Sequence, residues 1–226
     1  MKTVAFALLV VLTCGLSAFA SDCIVTSYDN YLGTGFSCGI EDKTASNFSY
    51  STSGSSQMPA SSITVNPINT PGNPGFLFNA PWGAVGSQTQ NSLIGFTVTA
   101  GGNAIDDLSL TMLGAATVGN GLVTVSETYC AGDTFANLCA NGIEGTLSTY
   151  LGGGLSQLTD SVSFGPVNVV DVFKSVTLLG GGNGSFAVLG GVENNFSEVV
   201  PEPGSLMLLG SGVGCLAAAL RRRINL

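Results

Sequence analysis

The sequence predicts an all-β chain whose central part folds as an antiparallel β-sandwich. Short runs rich in β-branched and aromatic residues recur along it, whereas the 3.6-residue periodicity of amphipathic helices is nearly absent. Glycine and asparagine clusters separate these runs, and such residues supply the positive φ angles of tight turns. Strands and turns at this density are typical of two packed sheets.

The clearest predicted strand covers residues 93–100. It places Phe96 and Val98 on one face and Thr97 and Thr99 on the other, which is the alternation of a half-buried strand. Further strands are predicted at residues 108–113, 121–128, 161–164, 167–179 and 185–189. Turns are predicted at residues 101–103, 119–121, 152–154 and 180–184.

Four segments have less regular patterns. Residues 134–139 and 146–151 suggest two short helices. The serine-rich residues 46–62 are interpreted as an edge strand followed by a loop, and residues 66–81, dense in proline and glycine, as a long irregular connection. None of these requires a domain boundary and no internal repeat is visible, so we expect one ectodomain over residues 21–199.

Residues 1–20 have the three regions of a secretory signal peptide. Lys2 provides the positive charge, and residues 4–16 provide the apolar stretch. Lipidation of Cys14 is an alternative, although the threonine before it matches a lipidation site only loosely. Signal peptidase is expected to cut after the A-x-A site formed by Ala18 and Ala20, so that Ser21 becomes the new N-terminus.

Residues 200–226 form a second targeting signal with three parts. Its first part contains Pro201, Glu202 and Pro203. We expect this part to be extended, because each proline fixes its own φ angle and restricts the residue before it to extended geometry. Residues 206–220 are uncharged, and as a helix they would be about 22 Å long, which is short for a bilayer core of roughly 30 Å. Arginine clusters stay on the cytoplasmic side, which places the ectodomain outside. That cluster consists of Arg221, Arg222 and Arg223.

The order of Pro-Glu-Pro, short apolar helix and terminal arginines resembles the PEP-CTERM sorting signal over residues 200–223. The resemblance implies export and handling by exosortase, a membrane-embedded transpeptidase that recognises Pro201, Glu202 and Pro203. It also implies a final place in the cell envelope or extracellular matrix after transient inner-membrane anchoring, with exopolysaccharide as a candidate partner. Residues 95–113 and 172–198 resemble, more loosely, β-sandwich ectodomains that accompany this signal. A plain single-pass membrane anchor is the alternative.

Composition excludes several classes of function. Residues 21–199 contain 13 acidic side chains but only Lys43 and Lys174 as basic ones, a formal charge of −11. Such a surface disfavours binding to nucleic acid or anionic lipid. The chain has no histidine, which removes Ser-His-Asp and Cys-His nucleophilic sites and histidine-based zinc sites.

Four cysteines of the ectodomain suggest two disulfides, because exported proteins meet an oxidising environment. Sequence proximity favours Cys23 with Cys38 and Cys130 with Cys139, among three allowed connectivities. A four-cysteine metal site is the alternative, but no C-x-x-C spacing supports it.

Carboxylates and one tryptophan are the remaining candidates for chemistry. Asp106 and Asp107, placed between two predicted strands, are interpreted as a hairpin pair, with Ca²⁺ ligation as the alternative, and Glu41 and Asp42 are treated alike. Trp82 is expected on a loop packed against the sandwich edge, with sugar stacking as its alternative. We therefore expect an exported protein without catalytic activity, cofactor or metal. The alternatives are a secreted carbohydrate-active enzyme or carbohydrate-binding protein with paired carboxylates, and an unprocessed single-pass membrane protein.

Overall fold

The computed structural model describes residues 21–198, which form two antiparallel β-sheets packed face to face. The predicted all-β sandwich is confirmed. The signal peptide at residues 1–20 and the sorting tail at residues 200–226 lie outside the described residues. Within the described range, no helix has the length and apolar character needed to cross a membrane.

Residues 21–198 contain fourteen strands and three short 3₁₀ helices. The helices cover Tyr28–Tyr31, Ala60–Ser62 and Phe135–Asn137. The strands are β1 (Thr26–Ser27), β2 (Ser37–Ile40), β3 (Lys43–Gly54), β4 (Thr64–Ile68), β5 (Gly75–Val85), β6 (Thr89–Ala100), β7 (Ile105–Leu113), β8 (Ala116–Val118), β9 (Leu122–Ala131), β10 (Ile143–Gly152), β11 (Leu155–Gln157), β12 (Thr159–Val167), β13 (Val169–Leu179) and β14 (Phe186–Asn195).

The strands divide into two sheets. Sheet A has the order β11-β10-β9-β13-β6-β3-β2, and sheet B has the order β1-β4-β5-β14-β7-β12, with β8 also paired to β14. Each of these strand pairings is antiparallel. Strand β13 lies at the centre of sheet A, where it pairs with β6 along its whole length on one side and with β9 from Val170 to Leu179 on the other.

The core lies between the sheets and is filled by alternate side chains of each strand. On β13, Val172 and Val176 are fully buried whereas Phe173 faces outward, because successive side chains of a strand point to opposite faces. An aromatic cluster occupies part of this core, with neighbouring ring centroids 5.0 to 6.4 Å apart. Its members are Tyr28, Tyr31, Phe36, Phe48, Tyr50, Phe76, Phe78, Phe96 and Phe196.

Of the two helix predictions, the one at residues 146–151 is wrong and the one at residues 134–139 is confirmed only as a single 3₁₀ turn. Residues 146–151 lie within β10, which pairs with β9 over its full length, so cross-strand packing decides the structure rather than the spacing of the leucines. Residues 134–139 contain only the single turn Phe135–Asn137, followed by Leu138 and Cys139 with φ angles of 57° and 52°. These left-handed residues end the turn and return the chain towards Cys130.

The predicted irregular connection at residues 66–81 is also wrong, since it contains the end of β4 and much of β5. Prolines are tolerated there because neither disrupts a ladder between two neighbours. Pro67 lies beyond the two residues of β4 that pair with β1. Pro81 lies where the register between β5 and β14 shifts. The first part of the serine-rich segment at residues 46–62 is an edge strand, as predicted. Beyond Ser46, where its pairing with β2 stops, β3 forms the edge of sheet A.

Both ends of the described chain lie at one end of the sandwich, next to the turn between β2 and β3. The carbonyl of Ser21 accepts a hydrogen bond from Gly39 at 2.9 Å, and the Glu198 amide donates to the carbonyl of Gly72 at 3.1 Å. We call this the terminal end, formed by residues 41–42, 69–74, 101–104 and Glu198. The opposite, far end carries the glycine-rich turns at residues 119–121, 152–154 and 180–184.

Candidate functional site

Two disulfides are present, with the pairing that the sequence favours. Cys23–Cys38 ties the first described residues to β2, and Cys130–Cys139 closes the loop between β9 and β10. The four cysteines are therefore engaged with one another, and the alternative of a four-cysteine metal site is wrong.

An acidic cluster lies at the terminal end of the sandwich. Carboxylate oxygens of Glu41, Asp42 and Glu198 come within 4.8 Å of one another. Lys43, which is 1% exposed, places Nζ 2.8 Å from Oε1 of Glu198 and also contacts Asp42. Asn103 completes the cluster, because its backbone amide donates to Asp42 Oδ2 at 2.7 Å and its Nδ2 donates to Glu198 Oε2 at 2.9 Å.

Lys43 neutralises part of the negative charge of this cluster. Its ammonium group pairs with two of the three carboxylates, those of Asp42 and Glu198, so the arrangement is a network of ion pairs that fastens Glu198 to the β2–β3 turn. Burial acts to raise the pKa of Asp42, but hydrogen bonds outweigh it and lower this pKa to about 2; the largest is with Lys43, followed by those with Glu41, Glu198 and the Asn103 amide.

Replacing Asp42 by asparagine is expected to weaken the dependence of stability on acid pH. A carboxylate whose pKa is lowered on folding contributes stability above its unfolded value, near 4, and loses it as the pH falls to about 2. Urea denaturation between pH 2 and pH 6 should show the free energy of unfolding falling less steeply in Asp42→Asn than in the wild type. Asp29→Asn, at an exposed position, is the control. Equal slopes for the wild type and Asp42→Asn would contradict this role.

A second polar cluster lies in the centre of the core. Lys174, Glu127 and Asn194 are each fully buried, on β13, β9 and β14 respectively. The sequence-based predictions include Lys174 only as one of two basic residues and do not include this cluster. A signal was present, since each of the three residues interrupts an apolar alternation at an inward position, as in the series Val170, Val172, Lys174, Val176, Leu178.

The other candidate residues are placed differently from expectation. Trp82 lies within β5 and not on a loop; it is 1% exposed and its Nε1 donates to Ser92 Oγ at 3.2 Å, so the sugar-stacking alternative is wrong. Asp106 and Asp107 lie within β7 and not in a hairpin turn. Asp107 Oδ1 accepts a hydrogen bond from the amide of Ser197 at 3.2 Å and so helps to hold the chain near Glu198.

A shallow depression at the far end has a neutral lining. Thr117 and Gly119 form one side, and the β10–β11 turn at residues 151–156 forms the other. None of these lining residues is acidic or basic, so this depression supplies no paired carboxylates.

Comparison with known proteins gives one functional assignment. The sequence matches none of the curated proteins at a significant level. Among solved structures, TmCBM61 in complex with β-1,4-galactotriose shares 13% identity and a TM-score of 0.34 over 66% of this chain and 88% of that one. The family 32 CBM from C. perfringens NanJ in complex with galactose shares 18% identity and a TM-score of 0.24 over 66% and 93%. The Glycosylation Associate Protein (Gap123) complex from Streptococcus agalactiae shares 13% identity and a TM-score of 0.28 over 66% and 26%.

At these TM-scores the structural similarities support no conclusion about the function of this chain. The family model described as the PEP-CTERM protein-sorting motif, in contrast, matches residues 199–223. The match begins at the residue after Glu198 and contains Pro201, Glu202, Pro203 and the three arginines. The chain therefore carries a PEP-CTERM protein-sorting motif at residues 199–223, which supports an exported protein that is sorted by exosortase.

Proposed function

We propose that this protein is a non-enzymatic component of the cell surface or extracellular matrix that associates with exopolysaccharide in a biofilm. The observation that carries the proposal is the sorting motif at residues 199–223. In this proposal signal peptidase frees the N-terminus, the C-terminal tail holds the protein transiently in the inner membrane, and exosortase acts at the motif. The domain over residues 21–199 is the part delivered.

The terminal end of the sandwich supports this order of events. Glu198, the last residue before the motif, is held by Lys43, by Asn103 and by the carbonyl of Gly72. The described chain therefore ends at a residue held in place by the domain, and the motif that follows Glu198 in the sequence is the proposed substrate segment. Ser21 lies at the same end of the sandwich as Glu198, so in this proposal both processing steps act at that end.

The outer face of sheet A has the chemistry for an uncharged, hydroxyl-rich partner. Phe173 is 37% exposed on this face and lies over Gly95, where any added Cβ would meet the ring at 2.4 Å. Phe135 packs beside it with ring centroids 5.3 Å apart. Aromatic faces stack on sugar rings, and hydroxyls exchange hydrogen bonds with them. The hydroxyl residues of this face include Thr44, Ser46, Ser51, Thr99, Thr124, Ser126, Thr128, Ser175 and Thr177.

Intact-mass measurement of protein from the native envelope tests the sorting step. The mature protein should begin at Ser21 and lack residues 204–226. Replacing Pro201, Glu202 and Pro203 together with alanine should leave the tail attached, because exosortase loses its recognition segment. Asp29→Asn, remote from the tail, should be processed like the wild type. A wild-type protein that retains residues 204–226, or an unchanged location of the triple-alanine variant, would support the unprocessed membrane anchor instead.

Retention on the organism's own exopolysaccharide tests the role of the delivered domain. Wild-type protein should be retained above a buffer control, and Phe173→Ser should be retained less because the exposed ring is lost. Leu138→Ser, which changes an apolar side chain that is 87% exposed outside this sheet face, should bind like the wild type. Equal loss in both variants would contradict binding by sheet A. Shortening of the polysaccharide during incubation would favour the alternative of a carbohydrate-active enzyme.

A further inference from the structure

A lysine, a glutamate and an asparagine meet in the core where the two sheets face each other. Lys174 on β13 and Glu127 on β9 are directly opposite one another in sheet A. Asn194 reaches them from β14 of sheet B. All three side chains are fully buried, and sorting and surface binding make no use of them.

The hydrogen bonds fix how the three groups face one another. Lys174 Nζ donates to Glu127 Oε2 at 2.7 Å and to Asn194 Oδ1. Asn194 Nδ2 donates to Glu127 Oε1 at 2.8 Å and to the carbonyl of Ser109 at 3.2 Å. Because Nδ2 faces two acceptors and Oδ1 faces a donor, these partners define the orientation of the amide. One carboxylate therefore contacts both the lysine nitrogen and the amide nitrogen.

The surroundings favour an uncharged and reactive amine. The rings of Phe78 and Phe96 lie over Lys174, with centroids 5.2 and 4.7 Å from Nζ. They exclude water from the amine, while their faces attract its charged form. Burial lowers the pKa of Lys174, although the charge of Glu127 acts in the opposite direction. A desolvated lysine is a competent nucleophile. Contact with the amide in a closed core supplies the proximity that an unreactive carboxamide requires.

We propose that Lys174 and Asn194 form an intramolecular isopeptide bond, with Glu127 as the acid–base catalyst. Starting from the neutral amine and the protonated carboxyl, the electron pair of Nζ attacks Cγ of Asn194 and forms the Nζ–Cγ bond. Glu127 delivers its proton to Nδ2 and, as the carboxylate that results, takes one proton from Nζ. The Cγ–Nδ2 bond breaks, and its electron pair leaves with the nitrogen as ammonia. Glu127 ends in its initial protonation state, and the step consumes no oxidant, reductant or cofactor.

The bond would join the centre of sheet A to the centre of sheet B. The linked residues are 20 positions apart, and the β13–β14 connection at the far end lies between them. The crosslink would therefore hold the two layers together even when the hydrogen bonds and core packing are lost.

Intact mass of the full chain, reduced and denatured, tests the proposal. The wild type should be lighter than its sequence requires by one ammonia, about 17 Da. Lys174→Met and Glu127→Gln should both have the full sequence mass, since one lacks the nucleophile and the other the acid–base group. Proteolysis and fragmentation of the wild type should yield a branched peptide that joins residue 174 to residue 194.

Wild-type protein at the full sequence mass would overturn the proposal, and this result does not depend on whether any variant folds. Asparagine also loses ammonia by closing on its own backbone, so the identity of the product matters. A mass loss that persists in Lys174→Met, or a linear peptide in place of the branched one, would equally overturn it. Asn91→Ala, which removes an amide on the outer face of sheet A, is the matched control and should keep the wild-type loss.

Discussion

Replacing Trp82 by alanine is expected to lower the free energy of unfolding by about 3–5 kcal/mol. The indole is buried between the sheets, and its Nε1 donates to Ser92 Oγ. Truncation removes a large apolar surface and leaves a cavity that closely packed strands cannot collapse to fill. Urea denaturation followed by far-ultraviolet circular dichroism measures the change. Since Trp82 is the only tryptophan, its fluorescence in the wild type gives an independent record of the same transition.

Phe173→Ala is the matched control for this core substitution. It also removes an aromatic side chain from a central strand pair, but the ring is 37% exposed on the outer face, so we expect a loss of about 1 kcal/mol or less. Equal losses in Trp82→Ala and Phe173→Ala would contradict the core position of Trp82. A Trp82→Ala protein with wild-type stability would contradict it as well.

Removing the Cys23–Cys38 disulfide is expected to cost about 3 kcal/mol, because the unfolded chain regains the entropy of a loop with a sequence separation of 15. Removing Cys130–Cys139, with a separation of 9, should cost slightly less, about 2.5 kcal/mol. Double cysteine-to-serine variants at each pair, compared by urea denaturation, measure both losses. The first pair also fastens the N-terminal segment to β2, so its loss should expose residues 21–25 to proteolysis.

The order of the two losses is the informative part of this comparison. If the Cys130–Cys139 variant loses more than the Cys23–Cys38 variant, loop entropy does not account for the disulfides. Reduction of the wild type should lower its stability at least as far as either variant. A protein whose denaturation midpoint is unchanged by reduction would contradict a stabilising role for both.

Local patterns allowed much of the fold to be predicted. The alternation of residues 93–100 and the glycine-rich turns depend only on neighbours in the chain, and the structure places β6 and its turns there. The two disulfides join cysteines close in sequence. The strands around Pro67 and Pro81 were missed because the tolerance of proline depends on where each neighbouring strand stops pairing. The point at which a neighbouring strand stops pairing is set by the tertiary structure and not by the local sequence.

The two polar clusters were not predictable for the same reason. Lys174, Glu127 and Asn194 each occupy an inward position that the alternation reveals, but they come from three strands of two sheets, separated by 47 and 20 residues. Which inward positions face one another depends on strand order, and β13 lies between β9 and β6 only through long crossover connections. Glu198 and Lys43 meet from opposite ends of the ectodomain.

The burial of both lysines also makes the folded domain a poor substrate for proteases that cut after basic residues. Residues 21–198 contain no arginine, and Lys43 and Lys174 are 1% and 0% exposed. Trypsin-like enzymes need an extended, accessible segment around a basic side chain, and the described domain offers none while its strands remain paired. A protein placed outside the cell thereby resists one abundant class of secreted protease through its composition and its core.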